Sequence, residues 1–451
     1  MALACAVATA DVANATAATG GDQLWLSSFK GPAIRDGDGK VAVSPDGTKV
    51  FVTGSTTEGP HPNNIATIAY DAITGARIWG SLYYALGSDV PMAMVGSPDG
   101  SRVYVTGRSH GSATGWNYTT IAYDAATGAM GWVATYTKRG GGSDIPHAMA
   151  SSPDGATLFV TGSSWGGPSE GDDYATVAYD AATGSQLWTA RYNSSADGEE
   201  TANGLVVSPD GSRVVVTGSS DVPDSGADFA TAAYGAATGE LLWTARYNGK
   251  ANMDDIADAV AISPDGSKVF VTGQSMATST GYDFATVAYD ESSGSVLWGA
   301  RYHGIGTDIP TAIAASPDGA KVYVTGEGTG DYATAAYDAT TGVIQWTARY
   351  AGPDGGSDRA HALAADPNGS EVFVTGQSFG TGTSDDYATV AYDAFTGFEL
   401  WASRYDGAAN GFDAAASVAA SPDGTKVFVA GESAGPGGLQ DFQIVTVAYQ
   451  S

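Results

Sequence analysis

The sequence predicts an all-β fold, an eight-bladed β-propeller of four-stranded antiparallel blades, on three observations. A Ser-Pro-Asp-Gly turn begins at Ser44, Ser97, Ser152, Ser208, Ser263, Ser316, Asp366 (as Asp-Pro-Asn-Gly) and Ser421, in steps of 50 to 56 residues. Between turns, β-branched and aromatic residues alternate with period two, broken every eight to twelve residues by Pro, Asp or Gly. That spacing gives four short strands per unit. The 451 residues also include 62 Gly, 23 Tyr and 10 Trp, the balance of a turn-dense β chain. A four-stranded unit of about fifty residues, repeated many times, is the signature of a propeller blade.

Each copy divides in order into strands a to d. Strand a precedes the Ser-Pro-Asp-Gly turn. Strand b follows it and ends in Thr-Gly, as in Lys268-Val-Phe-Val-Thr-Gly273, or Ala430-Gly431 in the last copy. A loop of variable sequence leads to strand c, such as Asp173 to Asp180. A tight Ala-Ala-Thr-Gly turn then leads to strand d, Leu-Trp-Thr-Ala-Arg-Tyr192. The strand-d tryptophans are Trp25, Trp79, Trp132, Trp188, Trp243, Trp298, Trp346 and Trp401, whereas the chain stops on a strand c at Val445 to Tyr449. Asp22 to Phe29 has no a, b or c before it. It is therefore expected to supply the last strand d and close the ring, removing two open sheet edges.

Even composition without a linker argues for one domain, residues 21–451, after a tail of residues 1–20. That tail has a short apolar patch and an Ala13-Asn14-Ala15 pattern, which reads as a signal-peptide remnant or a disordered Ala-rich segment. A secreted or extracytoplasmic location is expected. The 49 acidic and 20 basic residues give a net charge of -29, which disfavours phosphate backbones and anionic lipid. No nucleic-acid partner and no membrane insertion are expected, and the chain is read as a monomer. Cys5 is the sole cysteine, which excludes a disulfide or thiolate metal site in the repeats.

The segment from c to d reads Ala-x-Asp-x-x-Thr-Gly-x-x-x-Trp, as in Ala178-Tyr-Asp180-Ala-Ala-Thr183-Gly184-Ser-Gln-Leu-Trp188. Five of seven full copies match throughout, with Gly235 for Asp and Ser293 for Thr as the departures. The motif resembles the tryptophan-docking repeat of pyrroloquinoline-quinone-type propellers, and the likeness spans the chain after residue 21. That family includes quinoprotein dehydrogenases and non-catalytic scaffolds of the outer-membrane assembly type. The dehydrogenases set a bridged pair of adjacent cysteines against the quinone and hold calcium with carboxylates. Cys5 cannot supply that pair, so no cofactor is expected.

Function is sought where the copies disagree. The a–b and c–d turns are uniform, while the b–c and d–a loops vary and open on the opposite face, which becomes the functional face. An acid stands eight residues before each turn: Asp36, Asp89, Asp144, Glu200, Asp255, Asp308, Asp358 and Asp413. Its presence in every copy favours acceptance of backbone N–H bonds in the d–a loop over cation binding. Arg191, Arg246, Arg301, Arg349 and Arg404 recur on strand d and are expected to pair with carboxylates.

Five residues before the turn the copies diverge into Gly39, Met92, His147, Asn203, Asp258, Thr311, His361 and Ala416. His147, Asp258, Thr311 and His361 are the candidate catalytic residues, since imidazole and carboxylate together suit general acid–base work; Asn203 is a candidate ligand-binding residue beside them. The competing reading is that each is a satisfied structural polar group. Histidines on opposite blades stand too far apart to share one ion, and no zinc, P-loop or complete calcium motif occurs; Asp36-Gly-Asp38-Gly fails as a calcium loop at Lys40.

The b–c loops carry His61, His110 with Trp116, Trp165 with Glu170, Met276 with Tyr282, and Phe379 with Asp385. Trp116, Trp165 and Tyr282 are candidate ligand-binding residues, suited to a protein hot spot or sugar stacking, against loop self-packing as the alternative. Blade six has only Glu327 to Gly330 in this loop. Two functions follow: an exported non-catalytic binding or assembly scaffold for a protein or glycan, or an enzyme of lyase, cyclase or hydrolase type acting on a small molecule at the channel mouth.

Overall fold

The computed structural model describes residues 19–33, 39–58, 63–111, 115–138, 141–167, 171–194, 198–223, 225–304, 306–353, 355–435 and 438–451, apart from the side chains of 30–33 and 438–441. Cys5, the Ala13–Ala15 pattern, Asp36, Asp38, His61 and Glu170 lie outside the described residues. Blade three shows the repeat: strands a to d are Asp144–Ser151, Thr157–Gly167, Gly171–Asp180 and Gln186–Tyr192, paired antiparallel in that order. Eight such four-stranded sheets are present among the described residues. The a strands of neighbouring blades touch all the way round, so strand a is innermost and strand d lies on the rim.

The last sheet runs Gln23–Ala33, Gly438–Gln450, Lys426–Gly435, Asp413–Ala420. Its closing register sets Trp25 opposite Ala448 and Phe29 opposite Ile444. The N-terminal strand thus completes blade eight as the strand count requires, and it continues past Phe29 to Ala33.

The core consists of wedges between blades. Between blades one and two, Phe51, Ile65 and Trp79 meet Val103, Val105, Ile121 and Tyr123. The matching wedge between blades eight and one joins Trp25, Phe29, Phe428 and Ile444 to Val50, Val52, Ile68 and Tyr70. Seven of the strand-d tryptophans lie over the glycine of the next blade's c–d turn; a Cβ on Gly75 would stand 2.6 Å from the Trp25 ring. Only glycine fits there, and its φ of +69° also suits it. Blade eight has no such turn. Gly21, at φ +82°, takes the place under Trp401, and Ser403 donates its hydroxyl to the Gly21 carbonyl at 2.5 Å.

Candidate functional site

On the loop face, four short-range bonds join the strands of a blade. In blade three, Asp144 at the head of strand a accepts the Lys138 N–H at 2.9 Å and the Ser164 hydroxyl at 2.5 Å. Arg191 at the end of strand d donates to Ser164 and to Asp173 on strand c. The same Arg–Asp pairing recurs as Arg246–Asp228, Arg301–Asp283, Arg349–Asp331 and Arg404–Asp386. The recurring acids, from Asp89 to Asp413, are fully buried and accept loop N–H groups, as with Gly352 to Asp358 at 2.7 Å. Desolvation raises the carboxyl pKa of Asp144, Glu200, Asp255, Asp308 and Asp413, to about 6 at Asp413. The buried acids and, in five blades, the arginines therefore do the structural work expected of recurring residues.

The divergent register falls at a specific backbone feature. In blades two to eight it is the extra residue of a β-bulge in strand a, skipped between Pro146 and Ala148 in blade three and between Ala257 and Ala259 in blade five. Strand b accommodates the bulge by carrying the glycine of Thr-Gly opposite it, since a Cβ on Gly162 would lie 2.0 Å from the Ile145 carbonyl oxygen. The bulge frees the side chain from the ladder and aims it at the neighbouring blade.

The polar side chains at this register bond to the carbonyl just before the next blade's bulge. His147 Nδ1 is 3.0 Å from Ala202 O, Asn203 Nδ2 donates to Ala257 O at 2.9 Å, Thr311 Oγ1 lies 2.9 Å from Ala360 O, and His361 Nδ1 is 2.9 Å from Ala415 O. Carbonyl acceptors put the proton of both histidines on Nδ1. Burial holds each imidazole below its ordinary pKa, so both are mainly neutral at pH 7. Asp258 occupies the same register without a proton to give when ionised. Burial pushes its carboxyl up to about 7, and Oδ2 is buried without a hydrogen-bond partner.

The loop aromatics are separate from this ring. Trp116 pairs across the hairpin with His110, edge-on at 5.3 Å, and Arg108 lies 4.8 Å over its face. Trp165 sits opposite Asp172 and packs on Gly142, where no side chain would fit. Tyr282 pairs with Met276, and burial raises its hydroxyl pKa. The three are half-buried, each on its own b–c hairpin of blade two, three or five.

Sequence reasoning missed a cleft of about 440 Å³ at the closing seam, lined by Ser28, Phe29, Glu58, Arg77, Gly80 and Leu82 among others. Its signal was present: Ser28, Leu82 and Thr135 stand where other blades carry the paired arginine, so blades eight, one and two lack that clamp.

A family model described as outer membrane protein assembly factor BamB matches residues 63–194, 117–286 and 173–431. No curated protein sequence matches the chain. Among solved structures, Chaetomium thermophilum Sqt1 bound to the N-terminus of ribosomal protein L10 is 14% identical over 96% of this chain and 100% of its own, with a TM-score of 0.60. A europium-containing methanol dehydrogenase is 14% identical over 95% and 93%, TM-score 0.59. Comamonas testosteroni quinohemoprotein alcohol dehydrogenase is 14% identical over 95% and 76%, TM-score 0.58. At these identities the likeness is one of fold. The residues present do not fit a quinone held as in the dehydrogenases: Cys5 is the only cysteine, and the eight divergent registers supply one carboxylate, Asp258.

Proposed function

The chain belongs to the family of the outer membrane protein assembly factor BamB, and from that premise we propose that it is an exported, non-catalytic scaffold that presents its loop face to a protein partner. One observation carries the reading. Four polar side chains of the inner ring, His147, Asn203, Thr311 and His361, spend hydrogen bonds on neighbouring carbonyls, which leaves the unlike b–c hairpins as the variable chemistry of that face. Trp116 and Trp165 are the anchors in this reading, because large half-buried aromatics carry most of the energy of protein contacts. The net charge of -29 selects a partner with a basic surface.

The test is cross-linking of the purified chain to its partner in extracytoplasmic extract, followed by affinity measurement with the recovered protein. Trp116→Ala and Trp165→Ala are expected to weaken binding at least tenfold while His147→Ala leaves it unchanged. Equal binding by all variants overturns the assignment of the loop face.

Asp258 favours a second reading, a small enzymatic site at the channel mouth, since a carboxyl brought near neutrality by burial is suited to proton transfer. Turnover of any small molecule that falls by roughly 10²–10⁴ in Asp258→Asn would support that reading over the scaffold.

A further inference from the structure

Blade six departs from the repeat at one buried position. In blades two to five, seven and eight, the acid that opens strand a pairs across the ladder with a serine on strand b: Asp89 with Ser109, Asp144 with Ser164, Glu200 with Ser220, Asp255 with Ser275, Asp358 with Ser378, Asp413 with Ser433. The Ser164 and Ser220 hydroxyls donate to their acids at 2.5 and 3.0 Å. In blade six the residue opposite Asp308 is Gly328, on the shortened b–c hairpin. Asp308 is wholly buried; Oδ2 accepts the Gly304 N–H at 2.6 Å, and Oδ1 has no hydrogen-bond partner, a state it shares with Oδ1 of Asp255, Asp358 and Asp413.

Where the hydroxyl is missing, two further ligand-bearing groups converge from blade five. Asp283 lies on strand c (Gly281–Asp290) and His303 follows strand d (Val296–Tyr302). The ligand atoms of Asp283, His303 and Asp308 all lie within 4.8 Å of one another, with His303 Nδ1 3.2 Å from Asp283 Oδ1. Ligands each about 2.0–2.2 Å from a common ion stand roughly 3.3–4.4 Å apart, so small side-chain adjustments bring all three to one centre. The Asp283 carboxylate is held from behind: Arg301 donates to Oδ2 at 2.9 Å and Thr280 to Oδ1 at 3.1 Å, an outer shell of the kind that orients metal ligands. Histidine occurs at this register only here; the other described copies carry Tyr84, Thr137, Asn193, Asn248, Ala351 and Asp406.

We propose that Asp283, His303 and Asp308 bind a divalent first-row transition-metal ion of the zinc class, which clips blade five to blade six on the loop face. One imidazole nitrogen and two carboxylate oxygens suit such an ion, with water completing the shell, whereas calcium and magnesium favour all-oxygen sets. The ion gives the buried Asp308 Oδ1 a partner, and the convergence of His303 and Asp283 on it sets this blade junction apart from the others. The site is independent of the scaffold reading, which places the partner on other hairpins.

The purified full chain, stripped with chelator and returned to physiological salt with excess magnesium, is titrated with Co²⁺ by visible absorption and then with competing Zn²⁺. One ion per chain is expected. His303→Asn, which installs the residue of blades three and four, and Asp308→Asn, which keeps an acceptor for the Gly304 N–H, should each weaken binding by about tenfold or more. Asp406→Asn, at the matching register between blades seven and eight, should leave it unchanged. Binding that vanishes in magnesium, or that survives both His303→Asn and Asp308→Asn in folded protein, overturns the proposal.

Discussion

Trp25 Nε1 donates to the Ala72 carbonyl at 3.2 Å, and this bond ties the last blade to the first. Equivalent bonds run from Trp79 to Ala125, Trp132 to Ala181 and onward to Trp346 and Ala394. The series fails at Trp401, whose Nε1 is buried without a partner, because the c–d turn that would supply the carbonyl is replaced by residues of the N-terminal segment. The junction of blades seven and eight is therefore packed like the others and bonded one step less.

That difference is measurable. Trp79→Phe is expected to cost about 1 kcal/mol more than Trp401→Phe, since the first loses an indole bond and leaves the Ala125 carbonyl unpaired, while the second removes an orphaned donor. Urea unfolding of the two variants gives the comparison, and equal losses would contradict it.

Removal of residues 1–18 should leave the melting temperature unchanged, while removal through Phe29 should expose the edge of the C-terminal strand and cause aggregation. The intermediate case is informative: a truncation ending at Gly21 keeps the strand but vacates the space under Trp401. It should be destabilised and remain folded, as thermal unfolding and gel filtration can report.

Seven blades pair a strand-b threonine with one on strand c, as Thr161 Oγ1 with Thr176 Oγ1 at 2.9 Å; blade eight has Ala430, and Thr446 Oγ1 is buried without a partner. Ala430→Thr should restore the pair and raise stability by roughly 0.5–1.5 kcal/mol. A lower urea midpoint would show that this wedge has no room for the added atoms.

Asp258 makes stability depend on pH in a stated direction. Its carboxyl is raised to about 7, so between about pH 4, where the unfolded group ionises, and pH 7 the folded state binds the extra proton. Stability attributable to this group is full below that window, falls as pH rises through it, and is lowest above pH 7. Asp258→Asn, the side chain that Asn203 already presents one blade earlier, should flatten the dependence and raise the melting temperature most at pH 8. The turn carboxylates act oppositely: hydrogen bonds from Ser and Thr hold Asp46, Asp99 and Asp265 down to about 2, and their contribution is lost as pH falls from about 4 towards 2.

His147→Ala and His361→Ala should each cost about 1 kcal/mol, because each deletes an inter-blade bond. Gly39 and Ala416 at the same register would by themselves predict that folding is unaffected. Chemical unfolding distinguishes the two expectations.

The contrast shows what repetition makes legible. Agreement among copies revealed the strands, the pairing of the recurring arginines with carboxylates and the job of the buried acids, since a residue that recurs from blade to blade must serve the blade. Disagreement located the His147 register without disclosing its geometry. A bulge adds one residue without altering residue types, and its one trace, the glycine opposite in Thr-Gly, reads as a turn signal until the pairing is known. Likewise Gly328 looks like part of a short loop. Only the ladder shows that it stands where six other blades keep a serine beside a buried acid.

The closing strand also sets a clock. Gln23–Ala33 is made before its partner Gly438–Gln450, with 404 residues between them. At roughly 5–20 residues per second, the early strand waits on the order of 20–80 s before its partner exists. For that interval the nascent chain carries Trp25 and Phe29, core residues of the finished ring, on a segment with nothing to pair with. That early strand is thus the segment most in need of a holding chaperone, and Gly438–Gln450 is the strand that releases it.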